Sequence, residues 1–242
     1  MNILTFRSQK ELNKAGAGII TGLLQTNPKA VLGLATGGTP VGIYQELVET
    51  HREGLVSFSK STVFNLDEYV GLQHSHPESY YNFMQQHLLG KVDIPSEQCH
   101  IPDGMAADLD LECKRYDSLL EEAGQIDLQL LGIGHNGHIG FNEPDEELER
   151  GTHVIELKGQ TRAANARFFH APEEVPTHAI TMGVGTILKA KMILLVVHGK
   201  DKAEIVKRAL QGPITTECPA SLLQTHPHVV VLLDMEAGSG LS

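Results

Sequence analysis

The sequence predicts an α/β fold: an open, mostly parallel sheet with helices on both faces. Three observations predict it. Five short runs are almost wholly apolar, rich in Val, Ile and Leu, and show no polar alternation, the mark of strands covered on both sides. Longer amphipathic segments separate them, as strand–helix units require. The 242 residues, 41% hydrophobic and 20% charged, suit one domain with a sizeable core rather than a disordered chain. Residues 1–242 are therefore expected to form a single domain.

The strands are expected at residues 30–35 (AVLGLA), 62–66 (TVFNL), 126–133 (IDLQLLGI), 192–197 (MILLVV) and 228–233 (HVVVLL). Helices are expected between them. Residues 9–24 follow Ser8, a plausible N-cap. Residues 40–53 open on Pro40, which is favoured in the first helical turn. Residues 77–89, 107–123, 202–210 and 220–223 complete the set. Residues 142–176 lack a strong strand pattern and form a candidate lid.

The formal net charge is −11. Nucleic acid and anionic membrane are poor partners for such a surface, and any anion site must be a local construction. Cys99, Cys113 and Cys218 are odd in number and follow no CxxC or Cys/His spacing. They read as reduced thiols of a cytoplasmic protein, not as metal ligands. Met1 to Arg7 lacks the apolar run of a signal peptide, and no stretch approaches the ~20 apolar residues of a transmembrane helix.

In open α/β sheets, ligands bind beyond the carboxyl ends of the strands. Three strand ends are chemically rich. At Thr36-Gly37-Gly38-Thr39-Pro40 a strand passes through two glycines into a helix. The backbone can approach a ligand there, and the helix start offers free N–H groups to a phosphate; an ordinary tight turn is the alternative. At Asn65-Leu66-Asp67-Glu68-Tyr69 two carboxylates are neighbours. Charge repulsion between them raises the pKa of one member and suits that member to act as a base; a solvated acidic turn is the alternative. Residues 132–144 (GIGHNGHIGFNEP) hold four glycines, two histidines and a glutamate. His138 is the natural proton shuttle among them. Arg167 and Lys202 could each reach a phosphate, or could be ordinary surface charges.

With these residues in view, the chain resembles the glucosamine-6-phosphate deaminase family along nearly its whole length. LGLATGGTP, NLDEYVGL, HPESYYNFM, GIGHNGHIGFNEP and TRAANARFF all look like family signatures. The related sugar-phosphate lactonases share the glycine-rich turn but not FNEP or NLDEY. The resemblance implies a Rossmann-like three-layer sandwich with a lid, an amino-sugar phosphate as substrate, and no cofactor or metal. It implies that Asp67 moves a proton between C2 and C1, and that His138 opens the sugar ring. Glu143 and Asn136 support His138, while Thr36, Gly37, Gly38, Thr39, Arg167 and Lys202 hold the phosphate. Larger members carry aspartate at position 136; with asparagine here, the charge-stabilising role falls to Glu143. Short members share this asparagine. Hexameric members bind an allosteric N-acetylglucosamine 6-phosphate through Arg and Lys at positions that align with His153 and Ile155. The loss of those cations here implies a monomer or small homo-oligomer without that activation. A 6-phosphogluconolactonase-like hydrolase and a non-catalytic sugar-phosphate sensor are the competing functions.

Overall fold

The computed structural model describes residues 1–241. A seven-stranded sheet forms the centre. In chain order its strands are β1 (Asn2–Phe6), β2 (Val31–Leu34), β3 (Thr62–Asn65), β5 (Cys99–His100), β6 (Leu128–Leu131), β9 (Met192–Val197) and β10 (Val229–Asp234). Their spatial order is β1-β10-β9-β6-β2-β3-β5, and every pairing is parallel. Three further strands, β4 (Asp67–Tyr69), β7 (His153–Glu156) and β8 (His178–Thr181), form a small antiparallel sheet.

The apolar runs look continuous in sequence because both faces are buried, but the pleat sorts them by parity. Leu194 and Val196 pack with Leu32, Leu34, Val63 and Leu232 in one core. Ile193, Leu195 and Val197 pack with Val31, Phe64, Val231 and Leu233 in the other. Helices α1 (Gln9–Thr26), α2 (Val41–Arg52) and α3 (Tyr80–His87) cover the first core. Helices α4 (Leu109–Ala123), α6 (Val184–Ile187) and α7 (Ala203–Gln211) cover the second. The result is a three-layer sandwich, and no helix among the described residues is long and apolar enough to cross a membrane.

All five expected strands are present, with ends shifted by a few residues. Ser8 caps α1, its hydroxyl accepting from the Glu11 amide, as expected. Pro40 stands just before α2 as its N-cap. The segment expected as a helix at 220–223 is instead a 3-10 helix, Pro219–Thr225. The expected helix at 77–89 begins later, because Ser79 caps α3 by accepting from the Asn82 amide. Within 142–176 lie β7 and a short helix, α5 (Gly159–Asn165). Strand β7 is half-exposed, so it lacks the apolar run that marks the central strands.

The chain leaves β2 toward β3 and leaves β6 toward β9, in opposite directions along the sheet. The carboxyl ends of β2 and β6 therefore flank the switch point, where such sheets open a crevice. The glycine turn after β2 and the histidine loop after β6 meet there.

Candidate active site

A cavity of about 570 Å³ occupies this crevice, within the usual range for small-molecule sites. Thr36, Gly37, Gly38, Thr39, Asp67, Asn136, His138, Arg167 and Lys202 all line it. Glu143 does not. It is 2% exposed and lies behind His138, contacting the cavity through that histidine.

The turn after β2 is set by Gly37, whose φ of +93° is readily open to glycine alone. Pro40 makes no side-chain cap for α2, so the first amides of a twelve-residue helix stay available beside the cavity. Lys202 comes from the far wall, at the start of α7, where its Nζ donates to the Ile133 carbonyl at 2.9 Å. Burial lowers its pKa to about 8, opposed by Asp201 and assisted by Arg167. Lys200 does not line the cavity. Arg167 is exposed and stacks its guanidinium 4.8 Å from the Phe168 ring centroid. Among the described residues neither Arg167 nor Lys202 has an ion-pair partner. Two unneutralised cations facing one cavity, in a chain of net charge −11, form a local anion cradle.

Asp67 is not part of a solvated acidic turn. It opens β4 and pairs with Thr181 of β8. Burial pushes its carboxyl up to about 8, and the Glu68 carboxylate adds to the push. Burial, not the neighbouring charge expected from sequence, is thus the larger cause. Glu68 faces away from the cavity, as the strand's pleat requires. Its carboxylate accepts from the backbone amides of Tyr69, Tyr80 and Tyr81 at 2.8–2.9 Å, fixing the first turn of α3 to β4. Burial pushes Glu68 up to about 7, against three hydrogen bonds that favour its charged form.

His138 is held by a compact loop. A Cβ at position 134 would overlap its Nε2, so only glycine leaves room for the ring. Its buried Nδ1 stands 3.4 Å from Glu143 Oε2, within ion-pair range. The Asn136 amide donates to that same Oε2 at 2.6 Å, and its Oδ1 accepts from the His138 backbone amide at 3.2 Å. Asn136 therefore touches the imidazole only indirectly, through Glu143 and the His138 backbone. Burial would raise Glu143, but His138, Thr161 and Asn136 together hold it down at about 2.

Three further lining groups lie within the family-like runs but are not singled out there as site residues. Tyr80 packs against Phe141, with ring centroids 6.1 Å apart. His135 pairs with Asp201 at 2.6 Å across the rim. Thr161 donates to Glu143 Oε1 from α5. Only their position in the cavity reveals them. A second cavity, of about 410 Å³, is lined by Glu143, Asp145, Glu146, Glu147, Glu149, His153 and Ile155 among others.

A three-layer α/β fold with a cationic cradle, a buried carboxyl and a carboxylate-backed histidine at its switch point defines a class of enzymes acting on small anionic substrates. The family model of glucosamine-6-phosphate isomerases and 6-phosphogluconolactonases matches residues 8–232, and the chain belongs to that family. It is 50% identical over 240 residues to a glucosamine-6-phosphate deaminase of Bacillus velezensis, covering 99% of this chain and 100% of the relative. With the corresponding deaminase of Thermoanaerobacter pseudethanolicus the identity is 48%, covering 99% and 94%. Among solved structures, a monomeric glucosamine-6-phosphate deaminase superposes with a TM-score of 0.97 at 46% identity, covering 99% of this chain and all of that one. A 6-phosphogluconolactonase from Leishmania guyanensis shares the fold, with a TM-score of 0.78 at 22% identity and coverage of 100% and 98%.

Proposed function

We propose that the chain isomerises and deaminates glucosamine 6-phosphate, giving fructose 6-phosphate and ammonia. The observation that carries this reading is the shared cavity: a carboxyl with a raised pKa and a histidine backed by an ionised carboxylate face the same space as Arg167 and Lys202. The phosphate binds at residues 36–39 and the start of α2, with Arg167 and Lys202 completing its shell. His138 takes the proton from O1 and returns it to the ring oxygen, opening the sugar to an aldehyde. The C2 hydrogen is then acidic. Asp67 removes it and delivers a proton to C1, leaving a 2-imino sugar. Water hydrolyses the imine to the ketose and ammonia. Each step is a proton transfer or a hydrolysis, for which side-chain acids and bases suffice. Remote phosphate binding supplies positioning.

Glu143 stabilises the imidazolium, and Asn136 orients Glu143. Residues 142–176 act as the lid: Gln160, Thr161, Ala164, Asn165, Arg167 and Phe168 all come from one short stretch of it and wall the cavity. The functional unit is a monomer or small homo-oligomer that follows a hyperbolic rate law. Its second cavity, rimmed by four acidic residues at 145–149, repels an anionic effector such as N-acetylglucosamine 6-phosphate.

The test is to incubate purified protein with glucosamine 6-phosphate and measure ammonia and fructose 6-phosphate. Equal yields of the two support the reading. Hydrolysis of 6-phosphogluconolactone without ammonia release would move the chain to the lactonase side of its family, and binding without turnover would make it a sensor.

A further inference from the structure

Thr161 is a buried hydroxyl that the deaminase reading leaves without a role. It is 4% exposed, on α5, and its Oγ1 donates to Glu143 Oε1. The other carboxylate oxygen serves the catalytic side, receiving Asn136 and facing His138. Glu143 is thus divided between the lid and the histidine. A second tie lies close by: Lys158, at the N-cap of α5, donates from Nζ to the carbonyl of Pro144, the residue after Glu143. Six residues beyond Thr161 the same segment presents Arg167 to the cavity without an ion-pair partner among the described residues. One short stretch therefore touches the anion cradle at one end and the histidine's carboxylate at the other.

We propose that Thr161 is a positioning residue that couples phosphate capture to ring opening: the Thr161 hydroxyl fixes Glu143 against His138, and Arg167 engaging the phosphate holds α5 in that seat. This rests on the deaminase reading. A hydroxyl donated to a carboxylate favours the charged form and fixes its orientation. The positive charge that develops on His138 as it accepts the O1 proton is stabilised only by an ionised Glu143 in that orientation.

The experiment compares Thr161→Val, which removes the hydroxyl at nearly constant shape, with Thr161→Ser, which keeps it. Thr161→Val should lower kcat roughly 10–100-fold, the range expected for a lost charge-assisted hydrogen bond, with KM within about twofold. The acid limb of its kcat–pH profile should stay in place, because Asp67 at about 8 sets it and Glu143 at about 2 stays ionised throughout; the loss should appear as a lower plateau at every pH. Thr161→Ser should restore kcat. In an Arg167→Ala background the loss caused by Thr161→Val should shrink, since the seating step is already impaired. Equal kcat for the Val and Ser variants, or losses that add across the Arg167 background, would overturn the coupling. Should Thr161→Val fail to fold, Thr161→Ala read against Thr161→Ser decides in the same way. Failure of the deaminase reading is distinct, because the unmodified protein would then release no ammonia.

Discussion

Replacing Asp67 with asparagine should abolish turnover and yet stabilise the fold, by an amount that depends on pH. The folded protein holds this carboxyl at about 8, against 3.8 for the free group. Between those values the native state keeps a proton that the unfolded chain has released. Stability therefore falls as pH rises through that window. The gap is about 4 pH units, and at ~1.4 kcal/mol per unit its ceiling is about 6 kcal/mol. Asp67 borders a water-accessible cavity, so solvent and counter-charges recover part of this, and roughly 3 kcal/mol is expected at pH 8. Asparagine carries no such burden. Unfolding by urea at a series of pH values reads the effect directly. The two proteins should match near pH 4 and separate progressively toward pH 8, where the variant should melt about 6–12 °C higher. Parallel stability curves across this range, or a variant less stable throughout, would refute a buried, reluctantly ionised base. The same variant should lose exchange of the substrate C2 proton with solvent while retaining phosphate binding.

Two further outcomes test the site from other sides. The kcat/KM profile of the free enzyme should be a narrow bell centred near pH 8, because Asp67 must be ionised and Lys202 charged, and both groups sit at about 8. Lys202→Arg should remove the alkaline limb, since guanidinium stays charged; a limb that persists unchanged in this variant assigns it to another group. Gly134→Ala drives a methyl into His138 Nε2 and should cost on the order of 100-fold in kcat. Its melting temperature should move by only a few degrees, because the ring edge can yield; wild-type kinetics would mean the ring is not held where catalysis needs it.

The central layer and the catalytic loops are legible in the sequence for the same reason. Buried parallel strands write unbroken apolar runs, and the residues just after each run lie at the carboxyl edge of the sheet. The turn at 36–39 and the loop at 132–138 stand out because each succeeds such a run. Strand β1 escapes because it is an edge strand with an exposed, mixed sequence. Strands β7 and β8 escape because a three-stranded antiparallel sheet leaves only four-residue signals. The two neighbouring carboxylates look equivalent in sequence, yet the pleat of β4 sends one to the cavity and the other to the first turn of α3. Extended residues alternate sides, so that division would be readable once 67–69 is recognised as a strand. Thr161 opens the TRAANARFF run, but that run does not say what its hydroxyl does; its meaning emerges only when α5 is laid against Glu143.

The proposed mechanism depends on holding two carboxyl groups at opposite ends of their range within one site. Both are almost fully buried, Asp67 at 6% and Glu143 at 2% exposure, so desolvation alone would raise both. Hydrogen bonding separates them. Glu143 receives Asn136 and Thr161 and faces an imidazole, and it falls to about 2. For Asp67, burial and the charge of Glu68 act in the same direction, and it rises to about 8. A carboxylate that never protonates serves as a fixed counter-charge for a histidine that must cycle. A carboxyl poised near neutrality serves as a base that can both take and return a carbon-bound proton. Divergent pKa values in one site mark such a division of labour, and the proposed isomerisation needs both kinds of group. Exchanging the two environments would lose both functions, for a strongly acidic Asp67 would be too weak a base and a neutral Glu143 would leave the imidazolium without its counter-charge.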